Sequence, residues 1–113
     1  TEGVGDRDSL ILSEDNKKLL KKVKSTKIPY VIILISGRPM IIEEELDDSH
    51  AFIAAWLPGT EGGGISDVIF GDFNFTGKLL MTWPKSMKQV PINYGDRSYD
   101  PLFKFGFGLS YKK

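Results

Sequence analysis

Residues 30–35 read Tyr-Val-Ile-Ile-Leu-Ile, an apolar run with no polar alternation and rich in β-branched side chains. A strand with one wet face alternates, so such a run predicts a strand buried on both faces, as in a parallel sheet covered by helices. Ser36-Gly37-Arg38-Pro39 breaks it sharply. Residues 51–56, Ala-Phe-Ile-Ala-Ala-Trp, predict a second strand ended by Leu57-Pro58-Gly59, and residues 78–83 a third, stopped by Pro84. Ser13 predicts a helix N-cap, with Glu14 and Asp15 in the dipole-favoured first turn. Leu19, Leu20 and Val23 share one face of that helix, lysines cover the others, and Glu14 is spaced to pair with Lys18. It should end at residues 24–26, before Pro29. Thr60 is placed to cap a second helix with Ile65, Val68 and Ile69 on its apolar face and Gly71 just past its end. Residues 40–42 suit a short strand or a turn, and Glu43, Glu44, Glu45, Asp47 and Asp48 an acidic surface stretch. Residues 72–77 and everything from Lys85 onward read as loop, closing in a terminal strand or an extended aromatic tail over residues 105–111. The alternation of strands and helices predicts one α/β domain with a mainly parallel sheet. Three or four strands are few for an open sheet, so an upstream segment is expected to complete it. Thr1 stands where a natural start would have methionine, which carries the same expectation.

Several chemistries are excluded or weak. Lysine plus arginine equals aspartate plus glutamate, 15 each, so no broad pull toward nucleic acid or an anionic membrane is expected. The lysines of residues 17–27 are flanked by acids and read as a solvated helix face. With no cysteine, disulfides, thiol catalysis and thiolate metal sites are out. His50, the single histidine, reads as a surface residue beside Asp47 and Asp48 rather than a metal ligand. No G-x-S-x-G elbow is present, and the longest apolar run is too short to span a bilayer. Gly62, Gly63 and Gly64 open a helix and could cradle a phosphate, but the Walker lysine is missing, so tight loop-to-helix packing is favoured. Gly3-Val4-Gly5 is a weaker version of the same signal. Phe103, Phe105, Phe107 and Tyr111 favour packing against the domain body over a sugar platform. Carboxylates remain. Glu2, Asp6, Glu61 and Asp72 sit near turns or strand ends, where α/β proteins place their sites. On residue type alone, each is more often a cap or salt-bridge partner than a catalyst.

A series of motifs, weak singly, is specific in its order: Ser36-Gly37-Arg38-Pro39; Ala54-Ala55-Trp56-Leu57-Pro58-Gly59-Thr60-Glu61-Gly62; Asp67-Val68-Ile69-Phe70-Gly71-Asp72; Phe75-Thr76-Gly77-Lys78-Leu79; Met81-Thr82-Trp83-Pro84; and Tyr99-Asp100-Pro101-Leu102-Phe103 running into Phe105-Gly106-Phe107-Gly108-Leu109. The series resembles the second domain of glycoside hydrolase family 3, in the β-glucosidase and β-glucan exohydrolase branch, over nearly the whole chain. The resemblance implies that residues 1–113 are the later half of that family's C-terminal domain, part of a three-layer α/β sandwich, with the first half and an N-terminal (β/α)8 barrel absent. It implies a fragment of a retaining, exo-acting β-glucosidase or β-glucan exohydrolase that acts on a β-glucan or β-glucoside, inactive by itself. The aspartate nucleophile would lie on the missing barrel. Thr1-Glu2-Gly3-Val4-Gly5-Asp6 matches the end of the family's acid/base loop, so Glu2 matches the general acid/base. No cofactor and no metal are implied, and no nucleic-acid or membrane partner. A secreted or periplasmic location is favoured over a cytoplasmic one. Leu80 and Lys104 stand where the family often has proline. The alternative is a non-catalytic structural or carbohydrate-contacting α/β module of the same shape.

Overall fold

The computed structural model describes residues 7–111. Helix α1 (Glu14–Ser25) starts as its residues demand: the Ser13 side chain accepts from the Asn16 N–H, and Lys22 and Lys24 occupy the last turn. The acids of the first turn pair one residue short of the expected spacing, Lys17 with Glu14 and Lys18 with Asp15, both at 3.7 Å. Strand β1 (Val31–Ile35) follows, then the short helix α2 (Glu43–Asp48), strand β2 (Ala51–Trp56) and helix α3 (Gly62–Phe70). The acidic stretch is therefore helical: three carboxylates in its first turn suit the positive end of the dipole, and Ile42, 1% exposed, pins its entry. Helix α3 begins at Glu61 without any side-chain cap, so Thr60 does not play the part expected of it. Gly71 does: it ends α3 at φ 89°, a left-handed conformation that glycine adopts without steric cost.

Strands β1 and β2 pair in parallel from Val31↔Ala51 to Leu34↔Ala54, with a register shift before Ile35↔Trp56. Among the described residues the sheet has these two strands. Residues 78–83 do not add a third. Trp83 instead forms an isolated antiparallel bridge with Phe103, and Leu79 donates to the Phe107 carbonyl at 2.8 Å while accepting from Gly106. Pro84 and the glycines at 77, 106 and 108 interrupt the regular ladder that a longer strand needs. Residues 40–42 resolve into a single parallel bridge, Ile41 with Ile11.

The core is Leu12, Ile42 and Trp83, with Leu20 of α1, Leu34 of β1 and Phe52, Ala54 and Trp56 of β2 packed against it. Full burial of side chains this size is worth about 1.5–3 kcal/mol each. The other face of β1 is open: Val31, Ile33 and Ile35 are 49%, 41% and 56% exposed. Burial on both faces, expected from the unalternated run, is met on the Ile32 and Leu34 side only. Among the described residues no helix is long and apolar enough to cross a membrane.

Candidate functional site

Open parallel sheets form their sites at the carboxyl ends of the strands. At that edge the Ser36 N–H donates to the Trp56 carbonyl at 3.1 Å, joining the ends of β1 and β2. The buried Ser36 hydroxyl donates to the Arg38 carbonyl at 2.9 Å and turns the chain outward. Trp56 has φ 54°, a left-handed conformation that a bulky side chain adopts only under constraint from its surroundings. Its indole packs 5.8 Å from that of Trp83. Trp83, 2% exposed, donates its indole N–H to the Met40 carbonyl at 2.8 Å and meets Phe103 edge-on, and Phe103 stacks on Phe107 at 4.5 Å. Four rings thus run in a row from the strand ends, the most deeply buried being Trp83.

The segment following Asp6 is fastened to this edge. The Leu10 N–H donates to Met87 Sδ at 3.2 Å, the Leu10 carbonyl accepts from the Ile41 N–H at 2.8 Å, and Leu12 enters the core beside Trp83. Met87 sits on a single 3-10 turn (Met87–Gln89). That turn is held by Gln89, whose side chain accepts from the Lys85 N–H at 2.7 Å and donates to the Asp100 carbonyl at 2.9 Å. Lys85 Nζ adds an ion pair to Asp100 at 2.7 Å. Sequence reasoning passed over Met87, because nothing marks a lone methionine in a polar loop as an anchor. The dipeptide Trp83-Pro84, a large aromatic at the end of an apolar run, did carry a usable signal of burial.

The expected site residues scatter. Glu2 and Asp6 lie outside the described residues, as do Gly3, Val4 and Gly5. Glu61 stands exposed at the start of α3 and lines a cleft of about 310 Å³ between α3 and β2, with Ile53, Ala55, Ile65 and Val68. Asp72 is exposed in the turn after α3. His50 belongs to the opposite edge: its Nδ1 accepts from the Tyr30 N–H at 3.3 Å, and its ring meets that of Tyr30 edge-on. Close by, Lys24 and Asp48 join α1 to α2 at 2.5 Å. The hydrogen bond to Asp48 holds the Lys24 ammonium above its ordinary range. The tight packing expected of Gly62, Gly63 and Gly64 is not made within this chain, since a Cβ at any of them would meet nothing within 4 Å. Close approach of the chain is found at Gly108 instead, where a Cβ would overlap the Gly77 carbonyl oxygen. Of the aromatic tail, Phe103 packs against the core and Tyr111 on the end of α3, where its hydroxyl donates toward the Val68 and Ile69 carbonyls and its ring meets Phe75, whereas Phe105 is 50% exposed. Among the described residues no cluster of three or more histidines and carboxylates could hold a metal ion.

A small parallel α/β layer with its constrained residues at the carboxyl edge defines the class of domain. The chain belongs to the glycosyl hydrolase family 3 C-terminal domain, whose family model matches residues 1–111. It is 33% identical over 93% of its length to a periplasmic beta-glucosidase of Salmonella typhimurium. It is 38% identical over 95% of its length to a xylan 1,4-beta-xylosidase of Xylanibacter ruminicola. These alignments span 17% and 14% of the two relatives. The crystal structure of a beta-glucosidase from Listeria innocua in complex with isofagomine superposes with a TM-score of 0.81 at 32% identity, covering 93% of this chain and 18% of that one.

Proposed function

We propose that this chain is the later part of the C-terminal domain of a retaining, exo-acting β-glucosidase or β-glucan exohydrolase, and that Glu2 is the enzyme's general acid/base. The observation that supports the reading is the family match over residues 1–111, a span that includes Thr1-Glu2-Gly3-Val4-Gly5-Asp6. A retaining glycosidase needs two carboxyl groups roughly 5 Å apart. One attacks the anomeric carbon. The other, held protonated in an apolar and enclosed setting, gives its proton to the leaving oxygen and then takes one from water. The nucleophile would be an aspartate of an upstream barrel, and the site would lie between the two domains, a common place for one.

The open row Val31, Ile33 and Ile35 supports the matching structural reading, in which the sheet continues into the first half of the same domain. β-Glucosides and β-glucans are the proposed substrates. The xylosidase relative, at 38% identity, favours β-xylosides as the second choice. A periplasmic or secreted location suits such substrates and agrees with the name of the Salmonella relative.

The test is Glu2→Gln in the full-length protein. Turnover of methyl β-glucoside, whose leaving group needs a proton, should fall by about 10²–10⁴. Turnover of 2,4-dinitrophenyl β-glucoside, whose leaving group needs none, should fall far less in the glycosylation step. Equal loss on both substrates in kcat/KM, which reports the glycosylation step, rejects Glu2 as the acid.

A further inference from the structure

Asn74-Phe75-Thr76 reads N-x-T with a middle residue other than proline, the pattern that N-linked glycosylation requires around its acceptor. Of the chain's three asparagines it alone is so placed, since Lys18 and Gly95 stand two residues past Asn16 and Asn93. Such a short pattern recurs by chance, so the setting has to fit as well: an exposed loop and an amide nitrogen that is not already engaged. The structure supplies both. Residues 71–77 leave the end of α3 as a loop without helix or strand, and Asn74 and Thr76 are exposed on it. The Asn74 side chain is also oriented. Its Oδ1 accepts from the Tyr111 N–H at 2.8 Å, and in an amide only the oxygen can accept, which assigns the other terminal atom as Nδ2. Among the described residues neither Nδ2 nor the Thr76 hydroxyl has a hydrogen-bond partner. Phe75 sets its ring edge-on against that of Tyr111 at 5.3 Å, so one residue of the tail holds this segment at two points. A glycan joined at Nδ2 leaves the Oδ1 lone pairs, and with them the bond to Tyr111, intact. Phe73, directly before the acceptor, is 66% exposed and offers the apolar face of a first sugar a surface to cover.

We infer that Asn74 is an N-glycosylation site, taking its oligosaccharide from a polyprenyl pyrophosphate donor. Nδ2 attacks the anomeric carbon of the donor's first sugar. An N–C bond forms as the C–O bond to pyrophosphate breaks, the polyprenyl pyrophosphate leaves with the bonding pair, and a proton of Nδ2 passes to a base of the transferase. Such transferases act on chains that have crossed a membrane, so the inference rests on the secreted or periplasmic location proposed above.

The experiment fractionates the source cells, recovers the full-length protein and analyses the peptide that contains Asn74 by tandem mass spectrometry with its glycan intact. The protein should be found outside the cytoplasm, with most copies of that peptide carrying an oligosaccharide on Asn74. Asn74→Gln and Thr76→Val should each reduce the glycosylated fraction to nothing, whereas Thr76→Ser, which keeps the hydroxyl, should retain it. A variant without its glycan can fail to leave the cell, and for that reason the unsubstituted protein decides the matter. A protein recovered outside the cytoplasm with Asn74 bare overturns the inference and leaves the location standing. A protein confined to the cytoplasm with Asn74 bare overturns the location and the inference together. A modification that persists in Thr76→Val is not directed by the N-x-T pattern and overturns the assignment as well.

Discussion

Trp83 meets Trp56 on one side and Phe103 on another, and its indole N–H is bound to the Met40 carbonyl. Trp83→Phe keeps a ring but leaves that carbonyl without its donor, a loss of about 1–3 kcal/mol. Trp83→Ala empties the centre of the core and should cost about 3–5 kcal/mol. Thermal melting ranks the two, and a phenylalanine variant as stable as the parent would deny the hydrogen bond any separate part. Gly108 makes a sharper case. A Cβ there would overlap the Gly77 carbonyl oxygen and come within 2.9 Å of Lys78 Cδ, whose own Nζ donates to the Gly108 carbonyl. The lysine can swing aside and the Gly77 backbone cannot, so Gly108→Ala should cost about 1–3 kcal/mol, read from the same melts. At Lys24 the prediction concerns pH. The bond to Asp48 raises its pKa above the ordinary 10.5. Any stability it lends is fully present below that value and lost as pH rises through the higher folded value. Both side chains are about half exposed, so the contribution is screened and small. Titration of Lys24 Nζ by NMR should show the raised value, and Asp48→Asn should return it to the ordinary range.

At the scale of elements, the parts legible in the sequence were those set by local chemistry. Ser13 capping α1, the β-branched run of β1 and Gly71 ending α3 each name their own structure. Two readings went astray where tertiary contacts decide. Residues 78–83 have a strand's composition, but they pair with the tail through Phe103, Gly106 and Phe107, partners 20 or more residues on that no local pattern reveals. Residues 43–48 are at the surface as expected, and their closure into a short helix, with Ile42 buried at its start, is what the acidic pattern did not show. The glycines opening α3 make none of the close contacts expected of them within this chain. The candidate site divides the same way. Glu2 is proposed on resemblance and sequence order, whereas the contact of Met87 with Leu10, 77 residues apart, is visible only in the structure. The exposed row of β1 carries the prediction at this scale. Ile33→Asp in the full-length protein places a charge on a face proposed to be covered, and should cost about 3–5 kcal/mol. In the isolated chain, where that face is open, the same change should be near neutral and improve solubility. Equal effects in both settings would mean that nothing covers the row.

For the whole molecule, the match to 14–18% of larger glycosidases and the open face of β1 agree with one picture. In that picture, as proposed above, Glu2 supplies its carboxyl to a substrate held mostly by other parts of the enzyme. The isolated chain should therefore show no hydrolysis of aryl β-glucosides while the full-length protein does, a comparison that a single chromogenic assay makes. The role of Glu2 can be decided more directly by stereochemistry. With Glu2→Ala and azide present, an activated β-glucoside still forms the glycosyl-enzyme, and azide, which needs no base, takes the place of water on the same face. Turnover should be faster with azide, with a β-glucosyl azide as product, identified by proton NMR. An α-glucosyl azide would make Glu2 the nucleophile, and no rescue at all would remove it from the chemistry; either result rules out Glu2 as the acid/base.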